Sequence, residues 1–349
     1  MSDDPIETLK GRFDVYKEIG RGSQARTFLG LDRESGERVA IKELSLENAA
    51  DWKAVELFER EARALRGLDH PAIPRHIDDF HIDAESGVRF FLIQEFIEGE
   101  DLKSAGLAGT FSDQDARRFV EEMLDVLCYL QDLSPPVVHR DIKPSNIVRR
   151  PDGRLTLVDF GAVQTMAANT VGGSTIVGTS GYMPPEQLLG HATPASDLYA
   201  LAATTVQLLT NREPSELAVH RMQLQFRDHV SLSPQLADWL DQMLAPSTEA
   251  RFKHGREALA SLRAAGSTDL QLEPEPRTSM VPLAASIGMG LCTTITVAIT
   301  GWVVLVEPLT YSRFATAGSP MSSSSMIICV SVMVSLAVML VFKATNRQG

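Results

Sequence analysis

Alternating apolar positions at Phe13, Val15 and Ile19 lead into Gly20-Arg21-Gly22-Ser23-Gln24-Ala25-Arg26-Thr27-Phe28-Leu29, then a polar turn over Asp32 to Glu37, then Val39-Ala40-Ile41-Lys42. Period-two alternation broken by glycine and by charge predicts strand, glycine-rich turn, strand, hairpin, strand. Over Asp51 to Leu68 the period changes, with Val55, Leu57, Phe58, Ala62 and Leu65 at helical spacing and charges on the other face. The run Phe90 to Ile97 is apolar but for Gln94 and Glu95 and reads as a buried strand. A second helix is predicted over Asp113 to Gln131, opened by a capping box at Ser112-Asp113-Gln114-Asp115 and buried along Phe119, Val120, Met123, Leu124, Leu127 and Leu130.

Two short apolar runs, Val137-Val138 and Leu155 to Val158, bracket a polar stretch, His139-Arg140-Asp141-Ile142-Lys143-Pro144-Ser145-Asn146. Side chains on a loop between strand ends can converge on one point. Asp141 and Asn146 are five apart, and Asp159 lies eighteen beyond Asp141. Two carboxylates and a carboxamide are hard oxygen donors, suited to Mg²⁺ and to a substrate hydroxyl.

His139-Arg140-Asp141 with Asn146, followed by Asp159-Phe160-Gly161, resembles the catalytic and metal-binding loops of eukaryotic-type protein kinases. Lys143-Pro144 is similar to the serine/threonine branch, and the whole to bacterial Hanks-type members. That resemblance implies an α+β bilobal protein-kinase fold, with a small, mainly β N-lobe and a large, mainly α C-lobe. It implies a non-specific serine/threonine protein kinase, with ATP and Mg²⁺ as cofactors and Mn²⁺ as a substitute metal. Asp141, Lys143 and Asn146 are then catalytic, and Asn146 and Asp159 hold the metal.

By the same resemblance Gly20 and Gly22 belong to the phosphate-covering turn, although Ala25 and Thr27 stand where a third glycine and a valine are usual. Lys42 in Val-Ala-Ile-Lys pairs the α- and β-phosphates, and Glu61, preferred to Glu56 and Glu59, fixes the lysine. Gln94 guards the back of the nucleotide pocket, Glu95 and Ile97 bond the base through their main chain, and Asp101 faces the ribose. Ala162 to Ser180, rich in small and hydroxyl residues, reads as a mobile loop carrying Thr165, Thr170, Ser174 and Thr175, with Arg140 as a partner for a phosphate on it. Glu186, in Met183-Pro184-Pro185-Glu186, is expected to pair with Arg251, and Asp197 to bond the catalytic loop. These three have structural roles.

The C-terminal part changes the picture again. Residues 280–306 carry no charge, which exceeds the roughly 20 residues a helix needs to cross a bilayer. A second uncharged run, 321–342, reads as a further crossing. Lys343 and Arg347 after it favour a cytoplasmic C-terminus. The expected organisation is an N-terminal tail 1–12, a kinase domain 13–262, a linker 263–279, a first transmembrane helix 280–306, an outer loop 307–320, a second helix 321–342 and a tail 343–349. The protein is thus expected in the cytoplasmic (inner) membrane as a multi-pass protein, with its kinase domain in the cytoplasm. Its partners are then the lipid bilayer and Ser/Thr-bearing proteins, with a homodimer through Gly288 and Gly290.

A net charge of −12 argues against nucleic acid, which demands clustered Lys and Arg. The three cysteines, Cys128, Cys292 and Cys329, suggest neither a disulfide framework nor a zinc site. Met1 to Pro5 has no apolar run, so no cleavable signal peptide is expected. A membrane-tethered pseudokinase scaffold and a small-molecule phosphotransferase are the competing functions.

Overall fold

The computed structural model describes residues 4–22, 25–46, 52–84, 87–106, 111–165 and 178–271. In chain order come β1 (Glu7–Leu9), β2 (Phe13–Arg21), β3 (Ala25–Asp32), β4 (Arg38–Leu46), α1 (Trp52–Arg66), β5 (His76–Ala84), β6 (Gly87–Glu95) and β7 (Glu100–Asp101). There follow α2 (Asp113–Asp132), β8 (Val137–Val138), β9 (Ile147–Arg149), β10 (Leu155–Leu157), β11 (Gln164–Thr165), α3 (Pro185–Leu188), α4 (Pro194–Thr210), β12 (Val219–His220), β13 (Gln223–Leu224), α5 (Pro234–Met243) and α6 (Gly255–Gln271).

A six-stranded antiparallel sheet in the order β1-β2-β3-β4-β6-β5 makes the small N-terminal part. Leu44 and Leu92 on it share a core with Phe58, Ala62 and Leu65 of α1. A second cluster of Leu9, Phe13, Val15, Val39, Ile41, Phe91 and Ile93 fills space that α1 does not cover. Ile19, expected to continue the buried alternation, is instead exposed, because register shifts after Val15 and Glu18 turn the end of β2 over.

Residues 4–12 are not simply a tail. Glu7–Leu9 pairs with β2, in register Glu7 to Val15, through a turn with Lys10 and Gly11 at positive φ. Leu9 is fully buried beside Phe13, and one apolar residue in a polar stretch is too weak a pattern to announce a strand.

The larger part is helical and packs around α4, whose residues Ala195 to Leu209 are all buried. The hydroxyls of Thr204 and Thr205 donate to Ala200 and Leu201 one turn back, so the helix satisfies its own polar groups inside the core. The capping box at Ser112 and Asp115 forms as expected and starts α2.

Helix α6 runs on to Gln271, nine residues into the stretch expected as linker from residue 263. Gly266, Ser267 and Thr268 read as breakers, but one glycine costs only about 1 kcal/mol in a helix. Ala258 and Leu262 anchor the helix in the core, and Trp239 Nε1 donates to Ala258 O at 2.9 Å. Among the described residues no helix is long and apolar enough to cross a membrane. Residues 280–306 and 321–342, expected to do so, lie outside the described residues.

Candidate active site

Strand β8 delivers the chain into the polar loop, and Asp197 at the start of α4 holds it there. Its carboxylate accepts from His139 N at 2.7 Å and from Arg140 N at 2.8 Å, while Arg140 takes a left-handed φ of 74°. Burial pushes Asp197 up to about 7, against the pull of those two N–H groups and of Arg140. The other flank is fixed by Leu102 N, which donates to Pro144 O and Ile147 O, and by Val158 N, which donates to Asn146 O at 2.8 Å. His139 is fully buried and sits edge-on to Phe160, ring centroids 4.7 Å apart. Desolvation lowers its pKa, so the ring is a neutral packing element.

On this frame Asp141 meets three side chains. Asn146 Nδ2 donates to Asp141 Oδ2 at 3.0 Å and to its main-chain oxygen at 2.8 Å. Lys143 Nζ lies 2.8 Å from Oδ2, and Thr179 Oγ1 donates to Oδ1 at 2.7 Å. Lys143 Nζ also donates to Thr179 Oγ1 at 2.7 Å. The Asn146 amide nitrogen is thereby committed to the loop, which leaves Oδ1 as its metal-competent atom.

The other carboxylate is reached across the fold. Lys42 Nζ on β4 lies 2.8 and 2.7 Å from the two oxygens of Glu61 on α1, and 2.8 Å from Asp159 Oδ1. Burial works against the Lys42 charge, but the two carboxylates outweigh it and raise its pKa. Lys42 holds Asp159 down at about 2, whereas Glu61, almost fully buried, is pushed up by desolvation against the same lysine. Asp159 stands at φ 62°, ψ 78°, a left-handed conformation that turns the chain under α1. Its Oδ1 is taken by Lys42 and Gly161 N, and Oδ2 has no partner among the described residues. Asp159 Oδ2 and Asn146 Oδ1 are hard oxygen donors, and the set fits Mg²⁺, which takes one or two side-chain ligands and completes its shell with phosphate oxygens and water.

Nothing among the described residues requires Gly20 and Gly22 to be glycine for packing. Among the described residues a Cβ on Gly20 would meet only Thr27 Cβ at 3.8 Å, and one on Gly22 only Ala25 O at 3.5 Å. Their bareness keeps the turn's face open to a large anion. Ala25 begins β3 without positive φ, so its Cβ is tolerated. Glu95 ends β6, its N–H donating to Arg75 O at 2.9 Å and its carboxylate paired with Arg75 and Arg150. Ile97, just beyond, makes no main-chain hydrogen bond among the described residues and so keeps a free donor and acceptor. Asp101 has a structural task first: Oδ1 accepts from Lys103 N and Ser104 N, capping the turn after β7.

The stretch expected as a mobile loop starts ordered: Gln164–Thr165 pairs with Val137–Val138. Residues 166–177, with Thr170, Ser174 and Thr175, lie outside the described residues. The segment returns at Gly178, where φ is 133° and a Cβ would sit 2.9 Å from Arg140 O, so only glycine lets it pass this close to the catalytic loop. Gln187 Nε2 donates to the same oxygen at 2.6 Å. Glu186 and Arg251 form the expected two-pronged pair at 2.7 and 2.9 Å.

A family model described as the protein kinase domain matches residues 13–261. The chain belongs to the protein kinase family. It is 33% identical over 273 residues to serine/threonine-protein kinase B of Synechocystis, covering 73% of this chain and 46% of that one. Kinase F of the same organism is also 33% identical, over 314 residues, with 79% and 63% covered. PknA of Mycobacterium tuberculosis matches at 33% over 212 residues, with 59% and 48% covered. The chain thus spans between about half and two thirds of the length of these curated relatives.

Within this kinase domain sequence reasoning missed Thr179, Gln187 and Arg60. Thr179 is one hydroxyl among many in its loop, and its contact with Asp141 spans 38 positions. Arg60, next to Glu61, is close enough that its charge, after burial, helps to lower the Arg140 pKa. An arginine beside the helix glutamate was the available signal for a second cation there.

Proposed function

We propose that the chain is a membrane-anchored serine/threonine protein kinase that transfers the ATP γ-phosphate to hydroxyls of proteins, itself included. The observation that supports this best is the pairing of Lys42 with both Glu61 and Asp159, opposite an Asp141 flanked by Asn146, Lys143 and Thr179. Lys42, oriented by Glu61, binds the α- and β-phosphates. Asn146 and Asp159 would hold Mg²⁺, which would supply charge neutralisation on the phosphates. Ile97 and Glu95 offer main-chain groups to the base, and Asp101 faces the ribose.

Asp141 accepts the hydroxyl proton as the new O–P bond forms and the bond from the γ-phosphorus to the bridging oxygen breaks, releasing ADP. Lys143 neutralises charge on the transferred group. Thr179 sets the rotamer of Asp141 and leaves with the incoming hydroxyl as its replacement partner. Positioning and charge account for the catalysis.

Anchoring rests on the uncharged runs 280–306 and 321–342 and on Lys343 and Arg347 after them. Both ends then face the cytoplasm, where ATP is. Gly288 and Gly290 offer a close helix–helix contact for a homodimer that phosphorylates in trans.

Incubation of the full chain with Mg²⁺ and γ-labelled ATP tests the reading. Label on serine or threonine, lost in an Asp141→Ala variant, is the expected result. Nucleotide binding without transfer to any protein would replace it with a tethered scaffold.

A further inference from the structure

The sheet order puts β1 and β5 at opposite edges, yet the two edges meet. Lys10 Nζ, one residue past β1, lies 3.9 Å from the centroid of the Phe80 ring on β5, and Phe13 stacks on that ring at 6.2 Å. Residues 4–12 thus close the curled sheet, with Leu9 fully buried in one cluster with Phe13 and Phe91.

Four charges sit on the same face as that cluster. Glu7, Arg26, Glu43 and Arg89 each stand two residues from a residue packed in it, Leu9, Phe28, Ile41 and Phe91 in turn, and side chains two apart in a strand share a face. They form a continuous row. The Glu7 carboxylate accepts from Arg89 Nη1 and Nη2 at 3.0 and 2.8 Å, Arg89 Nε donates to Glu43 Oε1 at 2.6 Å, and Arg26 Nη2 donates to Glu43 Oε2 at 3.1 Å. Every nitrogen of the Arg89 guanidinium is engaged, as are both oxygens of Glu43, whose side chain is only 3% exposed. Losing a partner would leave charge uncompensated beside the core, so the row holds together.

Glu43 follows Lys42, whose side chain leaves the opposite face to meet Glu61 and Asp159. Strand β4 is therefore gripped on both faces at the residue that the kinase reading assigns to the phosphates. At the far end of the row, Arg26 stands opposite Arg21 in the β2–β3 ladder, where both strands enter the glycine-rich turn.

We propose that residues 4–12 are a strap that positions the nucleotide site from outside it, with Glu7 acting through Arg89, Glu43 and Arg26 on the placement of Lys42 and of the strands beside the glycine-rich turn. The inference rests on the kinase reading and deepens it. All four are positioning residues, since their side chains lie on the face away from the Lys42 ammonium. The row reaches the strand that carries Lys42 and not the loop that carries Asp141, so ATP affinity rather than the transfer step is what it governs.

The experiment uses the full chain with Mg²⁺-ATP and a generic protein bearing serine and threonine. Glu7→Gln should raise the KM for ATP about threefold to fivefold, the size of one partly exposed charge pair, and leave kcat within about twofold. Arg26→Gln should do the same. Glu7 and Arg26 bond to Arg89 and Glu43 and not to each other, so independent effects would multiply, whereas a row that acts as a unit makes Glu7→Gln/Arg26→Gln no worse than either single variant. The two side chains are 39% and 43% exposed, so both substitutions leave the fold intact. A KM for ATP that stays at the wild-type value while the melting temperature falls makes the strap a structural element only and overturns the proposal. Effects that multiply in the double variant overturn it as well. Both outcomes leave the kinase reading intact, whereas absence of transfer by the unaltered chain overturns both.

Discussion

Lys42 Nζ bridges both oxygens of Glu61, 2.8 and 2.7 Å away, although the two residues sit on a strand and a helix separated by nineteen positions. The glutamate is almost wholly buried and the lysine side chain is 17% exposed, so the pair lies where its field is least screened. Asp159 joins from beyond the catalytic loop, so one cation ties α1, the central sheet and the metal-binding loop together. In the proposed reading, phosphate binding and the placing of the metal ligand therefore depend on this one cation.

Glu61→Gln keeps the size of the side chain and removes its charge. Lys42 retains Asp159 but loses the partner that fixes its rotamer. A misplacement of about 1 Å costs roughly a hundredfold in such a site. The expected result is a fall in kcat/KM for ATP of about that size, measured by steady-state transfer to a generic protein. Unchanged kinetics would remove Glu61 from the site.

Thr179 donates to Asp141 and accepts from Lys143, so its hydroxyl stands between the proposed base and the lysine cation. Thr179→Ala should lower kcat by about tenfold to a hundredfold with little change in the KM for ATP, and Thr179→Ser should restore most of it. A purely structural Thr179 would show a lowered melting temperature that serine and alanine share, without that split.

Asp197 carries a pH dependence of determinate sign. Its pKa stands at about 7 in the folded protein, against 3.8 ordinarily, because burial disfavours its charge. Between these values the folded state binds more protons than the unfolded one, so this group's contribution to stability declines as pH rises from about 4 to about 7. The span of about three pH units corresponds to at most roughly 4 kcal/mol. Asp197→Asn removes the titration but leaves one loop N–H facing an amide nitrogen. Denaturant melts at pH 4.5, 6 and 7.5 should show the wild-type advantage over the variant shrinking with pH, and a constant difference would refute the shift.

The convergence of the candidate residues was legible because they are compressed into short segments: His139 to Asn146 and Asp159 to Gly161 lie on loops whose ends are marked by apolar strands. Lys42 and Glu61 were legible through local context, a strand and a helix of clear period. What stayed hidden depends on long-range closure. Leu9 is one apolar residue among polar ones, and it becomes a strand only because Phe13 and Phe91 leave a place for it. The approach of Thr179 to Asp141 and the continuation of α6 past Gly266 are likewise set by tertiary packing, which local propensity does not encode.

Residues 280–306 and 321–342 make a separate prediction. Full-length protein expressed in bacteria should pellet with membranes and resist alkaline extraction, while a chain ending at residue 279 should remain in the supernatant with its kinase activity. Recovery of the full chain in the supernatant at low concentration would dismiss the anchor without touching the catalytic reading.

Glu186 and Arg251 show what holds the substrate-side segment in place. The Arg251 side chain is fully buried, and besides the carboxylate it donates to Ala245 O, Ala195 O and Pro246 O. Burial pushes Glu186 up, but hydrogen bonds from Arg251 and Ser196 offset it and hold the carboxyl below its ordinary value. Removing one partner leaves an uncompensated charge, so Glu186→Ala should cost about 3–5 kcal/mol. In a domain of this size that lowers the melting temperature by roughly 10 °C. Arg251→Met alone should cost as much or more, since it strands Glu186 and three carbonyl oxygens. In the double variant Glu186→Ala/Arg251→Met part of the loss should return, because no charge is then left in the core. Calorimetry on the four proteins decides it: if the double variant loses the sum of the two single losses, the pair is not coupled and the segment is held by Gly178 and Gln187 against Arg140 instead.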